Sequence, residues 1–215
     1  DQLVSEKWMS GLHDYEQELI KAPDNSVRYQ NNHAYTVGII PTNKCNLRCI
    51  YCYSETGEVV EQDLTHEQVD MIINMLIKNA LIHKLAGKKD VVCKLSFCGG
   101  GEPTFNWELF RYCVQTLKAK CCQNGVKSFV LLITNGVMNK EMTSFLIDNV
   151  DQINISFDGL ESIQNCQRPT ANRQASYPIV DKMIRQCCQS DKKVLIRSTV
   201  LPSNFRRLRE IVDFI

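Results

Sequence analysis

Cys45, Cys49 and Cys52 stand in the spacing C-x₃-C-x₂-C, directly after the short apolar run Tyr35-Thr36-Val37-Gly38-Ile39-Ile40. Thiolates are the soft ligands that iron–sulfur clusters and zinc select. Three on one loop can bind one cluster or one metal ion. A [4Fe–4S] cluster normally takes four cysteines. A loop that supplies three leaves one iron open to a small molecule, as catalytic metal sites keep an open position. Two plainer readings stand beside this one. A structural zinc site would need a fourth ligand, for which His33 and His66 are candidates. The chain also holds eleven cysteines, enough for the spacing to arise by chance.

The other chemistry-bearing residues fall in four further segments. Gly99-Gly100-Gly101-Glu102-Pro103 can bring backbone close to a ligand, and a carboxylate such as Glu102 suits a cation; the plainer reading is a tight turn ahead of a helix. Cys98 is in the same loop, as a fourth cluster ligand or a packing thiol. Thr134-Asn135-Gly136 can hydrogen-bond a ligand or simply turn the chain. Ser156-Phe157-Asp158-Gly159 is followed by Gln167-Arg168-Pro169. Arg168 has the planar fork that matches a carboxylate, or is a surface arginine, and Asp158-Gly159 reads as a turn. Arg197 lies inside an apolar run, where an unpaired charge is costly. Facing inward, it needs an acidic partner or a ligand carboxylate.

These segments are positioned by a pattern that repeats five times: apolar strand, loop, amphipathic helix. The strands are expected at Thr36–Ile40, Cys93–Phe97, Phe129–Ile133, Ile153–Phe157 and Val194–Val200. They read as parallel strands covered on both faces. The helices are expected at Thr65–Leu85, Asn106–Cys122, Asn139–Asn149, Tyr177–Ser190 and Asn204–Ile215. Thr65 and Gln68 form a capping box, with Leu64 placed to staple against Val69. Val69, Ile72, Ile73, Leu76 and Ala80, like Val180, Met183, Ile184 and Cys187, are core stripes. Alternation of strand and helix implies an α/β fold with a parallel sheet. In such folds ligands sit at the C-terminal strand ends, where the loops picked out above lie. Composition and period do not separate an open, doubly wound sheet from a barrel.

C-x₃-C-x₂-C after a first strand, with Tyr51 just before the third cysteine and Gly99-Gly100-Gly101-Glu102-Pro103 after the second, resembles the radical S-adenosylmethionine (radical SAM) superfamily. The resemblance runs from about Tyr35 to the end of the chain. It implies a partial (β/α)₆ barrel, with about five βα units visible. It implies that Cys45, Cys49 and Cys52 hold a [4Fe–4S] cluster whose open iron takes the amino and carboxylate groups of S-adenosylmethionine. Reductive cleavage would then give a 5′-deoxyadenosyl radical that abstracts hydrogen. Gly99, Gly100, Gly101 and Glu102 would engage the methionyl ammonium, and Tyr51 would pack near the adenine. Asn135 would be a further cofactor contact, Ser156 would bond ribose or carboxylate, and Arg168 and Arg197 would face a carboxylate. The run from Ser156 to Val200 is similar to radical SAM enzymes carrying a SPASM or twitch domain, including peptide maturases and anaerobic sulfatase-maturating enzymes. That implies an oxidoreductase-like enzyme acting on a precursor peptide or protein, installing a thioether or carbon–carbon crosslink or oxidising a residue. It also implies a ferredoxin or flavodoxin as electron donor. Auxiliary clusters would lie beyond the end of this chain. A small-molecule substrate is the alternative within the family. A non-catalytic iron–sulfur or zinc module is the alternative outside it, although a carrier cluster would normally complete four ligands.

The 215 residues are 44% hydrophobic, enough for a sizeable core, and the formal net charge of +1 gives no electrostatic case for nucleic acid. Arg206-Arg207-Leu208-Arg209 reads as a solvated helix face. No apolar run reaches the roughly 18 residues of a membrane span, and no signal peptide is visible. An odd cysteine count without a signal fits a reducing cytoplasm better than a disulfide framework. Cys121-Cys122 and Cys187-Cys188 are helical neighbours that point to different sides, so neither pair suits chelation. Residues 1–34 form a separate N-terminal extension with a helix at Ser5–Ile20, and 35–215 form the barrel. The start at Asp1 and the uncapped amphipathic end at Glu210–Ile215 lead to the expectation that the natural protein continues.

Overall fold

The computed structural model describes residues 34–54 and 60–215; the helix expected over Ser5–Ile20 and the zinc candidate His33 lie outside them. Five strands, β1 (Ala34–Ile39), β2 (Val92–Phe97), β3 (Lys127–Thr134), β4 (Gln152–Ser156) and β5 (Lys193–Arg197), form one sheet. The helices are α1 (His66–Leu85), α2 (Trp107–Gln123), α3 (Lys140–Asn149), α4 (Glu161–Gln167), α5 (Tyr177–Cys188) and, after a 3₁₀ turn at Phe205–Arg207, α6 (Leu208–Phe214).

Strand order decides what composition left open. Every pair is parallel and the order is β1-β2-β3-β4-β5. A doubly wound sheet reverses at a switch point. Here each strand is added beside its predecessor without reversal. With right-handed crossovers, that winding sends all the helices to one face, as in a barrel. The core agrees. Cys93, Leu95 and Phe97 of β2, Val130 and Leu132 of β3, and Ile153 and Ile155 of β4 are buried in one cluster with residues of α1, α2 and α5.

The intervening strand residues point the other way, and they are more open. Lys94, Leu131, Asn154 and Ser156 are half-buried, while Leu195 and Arg197 are exposed. The expectation of strands covered on both faces is therefore corrected. Helices cover one face, and among the described residues the other is an open, concave wall. The near-continuous apolar runs misled because Leu131 and Leu195 look like core residues but line this wall.

Local signals account for most boundaries. The Thr65–Gln68 capping box is formed, and Asn106 and Asn139 cap α2 and α3. Leu64 packs half-buried against the core that holds Val69. Helix α4 was not expected: it is short and polar, and its N-terminus carries no side-chain cap. Strand β5 ends at Arg197 rather than Val200 because the next two residues turn to bond the end of β4. Ser198 Oγ donates to the Phe157 carbonyl at 2.6 Å, and the Thr199 N–H donates to Asp158 Oδ1 at 2.9 Å. None of the eleven cysteines is joined in a disulfide, and in each adjacent pair one is buried and one exposed. Arg207 and Arg209 pair with Glu210 and Asp213 on the surface, as a solvated face should. No described helix is long and apolar enough to cross a membrane.

Candidate cofactor site

The loop from β1 to α1 carries Cys45, Cys49 and Cys52, and two other loops hold it in place. On one side Thr42 bridges to Asp63 within the loop itself, and Lys44 pairs with Asp63 at 2.9 Å. On the other side the chain leaving α4 runs antiparallel to it. The Arg48 N–H reaches the Pro169 carbonyl at 2.8 Å, Ile50 N–H the Gln167 carbonyl at 2.9 Å, and Ala171 N–H the Asn46 carbonyl at 2.8 Å. Gln167-Arg168-Pro169, read from sequence as a binding segment, is thus also the rail on which the cysteine loop lies.

Cys45 and Cys49 are half-buried and Cys52 is exposed. Cys45 Sγ accepts the Leu47 N–H at 3.4 Å and the Asn135 side-chain amide at 3.6 Å. Burial pushes the Cys45 thiol up to about 11, and the neighbouring Glu102 and Cys49 add to the rise. Burial also raises Cys49, against which the largest opposing influence is Arg168. Such a pocket disfavours bare thiolates; a bound cationic metal would supply the stabilisation they lack. Among the described residues no three His, Cys, Asp or Glu side chains converge as a single-ion site. The zinc candidate His66 is packed edge-on to Tyr112, with ring centroids 4.4 Å apart.

Glu102 is held by the protein's own donors. It is 2% exposed and its carboxylate points into the protein. Oε1 accepts the Thr104 N–H at 3.2 Å and the hydroxyls of Thr104 and Thr134 at 2.6 and 2.7 Å; Oε2 accepts the Asn135 N–H at 2.7 Å. The carboxylate joins the β2 and β3 loops. A Cβ on Gly101 would strike the Lys44 carbonyl, and one on Gly100 would strike Ile40. These two glycines make room for the chain's own β1 end and cysteine loop. The Gly101 and Glu102 N–H groups then bond the Thr42 and Lys44 carbonyls at 3.2 and 2.8 Å. A Cβ on Gly99, at φ 74°, would lie 3.1 Å from the exposed Tyr53 hydroxyl and 3.9 Å from Ile40. Cys98 Sγ lies on the concave wall, 4.0 Å from where a Gly38 Cβ would be.

Asn135 meets the cysteine loop directly. Besides Cys45, its amide donates to Asn46 Oδ1 at 2.7 Å, and its own Oδ1 accepts the Val137 N–H at 2.9 Å. Ser156 and Arg197 are register partners at the ends of β4 and β5, on the concave wall. Arg197 is exposed on the same sheet face as Leu195.

Arg168 is no surface arginine: it is 6% exposed. Its Nη1 donates to Tyr51 Oη at 2.7 Å, and Tyr51 donates to Asp158 Oδ2 at 2.8 Å. Tyr51 is therefore anchored by its hydroxyl, and burial, with Asp158 adding, pushes that hydroxyl up to about 12. Asp158, read as part of a turn, is fully buried and also accepts Gln167 Nε2 at 2.8 Å. Gln164, Gln167 and Asn204 complete a buried polar network that the sequence reading missed. Its one visible signal was the density of Gln and Asn around the unrecognised α4.

The sequence from 39 to 215 matches the Radical SAM superfamily. The chain belongs to that superfamily. Its cofactors are accordingly a [4Fe–4S] cluster and S-adenosylmethionine. A cysteine-type anaerobic sulfatase-maturating enzyme of Clostridium novyi (strain NT) is 26% identical over 178 residues, 80% of this chain and 45% of that protein. A probable GTP 3′,8-cyclase of Methanosarcina acetivorans is 29% identical over 123 residues, 55% of this chain and 31% of that protein. Among solved structures, anSMEcpe with bound AdoMet and the Cp18Cys peptide superposes with a TM-score of 0.68 at 20% identity, covering 86% of this chain and 47% of that one. That likeness supports the fold: the five-stranded arc is a radical SAM barrel fragment. The radical SAM chain described here spans less than half the length of these relatives.

Proposed function

We propose that this radical SAM protein modifies side chains of a peptide or protein substrate. The observation that carries the reading is the solved relative anSMEcpe, of the same fold and bound to a peptide, together with the sulfatase-maturating relative. In this reading Cys45, Cys49 and Cys52 hold the cluster. Asn135 and Leu47 orient Cys45 through N–H bonds to its sulfur, an outer-shell role of the kind that fixes metal ligands. Gly99 offers backbone to the methionyl group. Ser156 and Arg197 receive a carboxylate of cofactor or substrate. When bound, the cluster and S-adenosylmethionine supply hydrogen-atom abstraction; the protein's part is to hold them and exclude water. A ferredoxin or flavodoxin would deliver the electron, a SPASM or twitch segment would follow the barrel, and a reducing cytoplasm would keep the free thiols reduced.

The test is anaerobic. The chain is reconstituted with iron and sulfide, reduced with dithionite and given S-adenosylmethionine, and 5′-deoxyadenosine is measured by chromatography. It should form in the parent and be absent when Cys45, Cys49 and Cys52 are all replaced by Ala. A pool of Cys- and Ser-containing peptides, read by mass spectrometry, should show a cofactor-dependent loss of hydrogen. Stimulation of 5′-deoxyadenosine by GTP, with no peptide altered, would move the assignment to a small-molecule substrate.

A further inference from the structure

Arg168 is a buried charge in the site with no carboxylate bonded to it, and unlike Glu102 and Asp158 it is not saturated with hydrogen bonds. Its Nε is the only buried side-chain nitrogen or oxygen without a hydrogen-bond partner among the described residues. Burying a guanidinium is costly unless opposite charge and hydrogen bonds compensate. No carboxylate pairs with it. Asp158 is reached only through the Tyr51 hydroxyl, and its oxygens are already taken by Tyr51, Gln167 and the Thr199 N–H. The remaining ionisable side chain beside it is Cys49, which stands opposite it where the two segments pair. Its position is fixed: Arg168 sits between Gln167 and Pro169, whose carbonyls hold the Ile50 and Arg48 N–H groups on either side of Cys49.

We propose that Arg168 is a positioning residue that sets the reduction potential of the cluster, by holding a fixed positive charge beside Cys49. The inference rests on the reading that Cys45, Cys49 and Cys52 hold the cluster. One-electron reduction adds a negative charge to the cluster, and its potential responds to net charge and burial. A buried guanidinium favours the reduced form; the buried Asp158 carboxylate nearby opposes it. Arg168 is closed off from solvent, so it serves the cluster rather than recognising substrate.

The experiment is a spectroelectrochemical titration of the reconstituted chain without S-adenosylmethionine, with iron counted for every variant. Arg168→Gln should lower the one-electron reduction constant at least tenfold, about 59 mV. Arg168→Lys, which keeps the charge but not the fork, should restore most of it. Asp158→Asn should shift the potential the opposite way, upward, and it tests the same field if Arg168→Gln fails to fold. A role in loop geometry alone would make Lys and Gln equally damaging and give Asp158→Asn no upward shift. Either result would overturn the proposal. A cluster that loads normally and titrates unchanged in Arg168→Gln would sink this inference alone. A parent chain that binds no cluster would instead sink the reading of the three cysteines, and this inference with it.

Discussion

Glu102→Gln is the sharpest test of how the site is built. The substitution keeps the shape of the side chain and replaces one acceptor oxygen by an amide donor. Four donors converge on the Glu102 carboxylate: two backbone N–H groups, of Thr104 and Asn135, and two threonine hydroxyls. The hydroxyls can rotate and accept instead; the N–H groups cannot. Whichever way the amide is oriented, it faces one backbone N–H donor to donor. The residue is 2% exposed, so water does not take up the slack. A buried donor left unpaired costs roughly 1–3 kcal/mol, and loss of the charge weakens the remaining bonds, so about 2 kcal/mol is expected. For a chain of this size that is a melting temperature roughly 4–8 °C lower. The assay is an anaerobic thermal melt followed by circular dichroism, with iron content and S-adenosylmethionine binding measured on the same preparation. Stability should fall, and cofactor binding should weaken only as far as Asn135 and the cysteine loop shift. An unchanged melt with sharply weaker cofactor binding would refute the argument, because the carboxylate would then be facing the ligand and not Thr104, Thr134 and Asn135.

Gly101→Ala places a Cβ on the Lys44 and Asn43 backbone, which cannot yield as a side chain can; overpacking of about 1–3 kcal/mol and reduced iron uptake per chain are expected. Gly87→Ala, where a Cβ meets nothing within 4 Å, should cost only its left-handed strain and leave iron uptake intact. Asn135→Ala removes an N–H bond to Cys45 sulfur and the bond to Asn46; the cluster potential should fall, checked by the same electrochemical titration. Burial raises the Cys113 thiol from 9.0 to about 12. Above pH 9 the folded chain therefore holds a proton that the unfolded chain releases, so stability present below that pH is lost as pH rises toward 12. Urea unfolding should show the advantage of the parent over Cys113→Ala narrowing by about 1 kcal/mol between about pH 8 and about pH 10.

The sheet was legible because its signals are local. Five apolar runs separated by capped, amphipathic helices specify β and α by period alone, and the Thr65–Gln68 box marks the start of α1 to the residue. The winding was not legible, since single and double winding use the same repeat; strand order alone separates them. The loops at the C-terminal strand ends were legible through spacing and glycine content, but the partners of their side chains were not. Glu102 and Tyr51 illustrate why. A carboxylate or phenol next to a cofactor motif reads as a ligand group, whereas its actual partners are Thr134 and Asn135, or Asp158 and Arg168, from 32 to 117 residues away. Such pairings exist only once β2, β3 and β4 lie side by side. Helix α4 was missed because seven mostly polar residues with no cap carry no periodic signal, though tertiary contacts fix it firmly: Gln164 and Gln167 are buried.

Placed together, these contacts give the site an electrostatic logic. Two buried carboxylates flank the cysteine loop, Glu102 on the β2–β3 side and Asp158 on the β4–β5 side. Each is saturated with donors, so each can remain buried while locking two strand ends and the loop between them. Their charges, however, act on the thiols: Glu102 raises Cys45 and Asp158 raises Cys49. A loop braced only by acids would make every further negative charge at the cysteines harder to add. Arg168 answers on the Cys49 side, where it outweighs Asp158. On the Cys45 side the answer is two N–H donors, from Leu47 and Asn135, and no cation. Cys52, the exposed member, is left closest to solvent. The three sulfurs thus sit in three different fields. The Arg168 and Asn135 substitutions should both lower the potential. Arg168 is closed off from solvent, so its charge is screened little and the Arg168→Gln shift should persist in added salt. An Arg168→Gln shift that vanishes with added salt would refute a buried charge acting at Cys49.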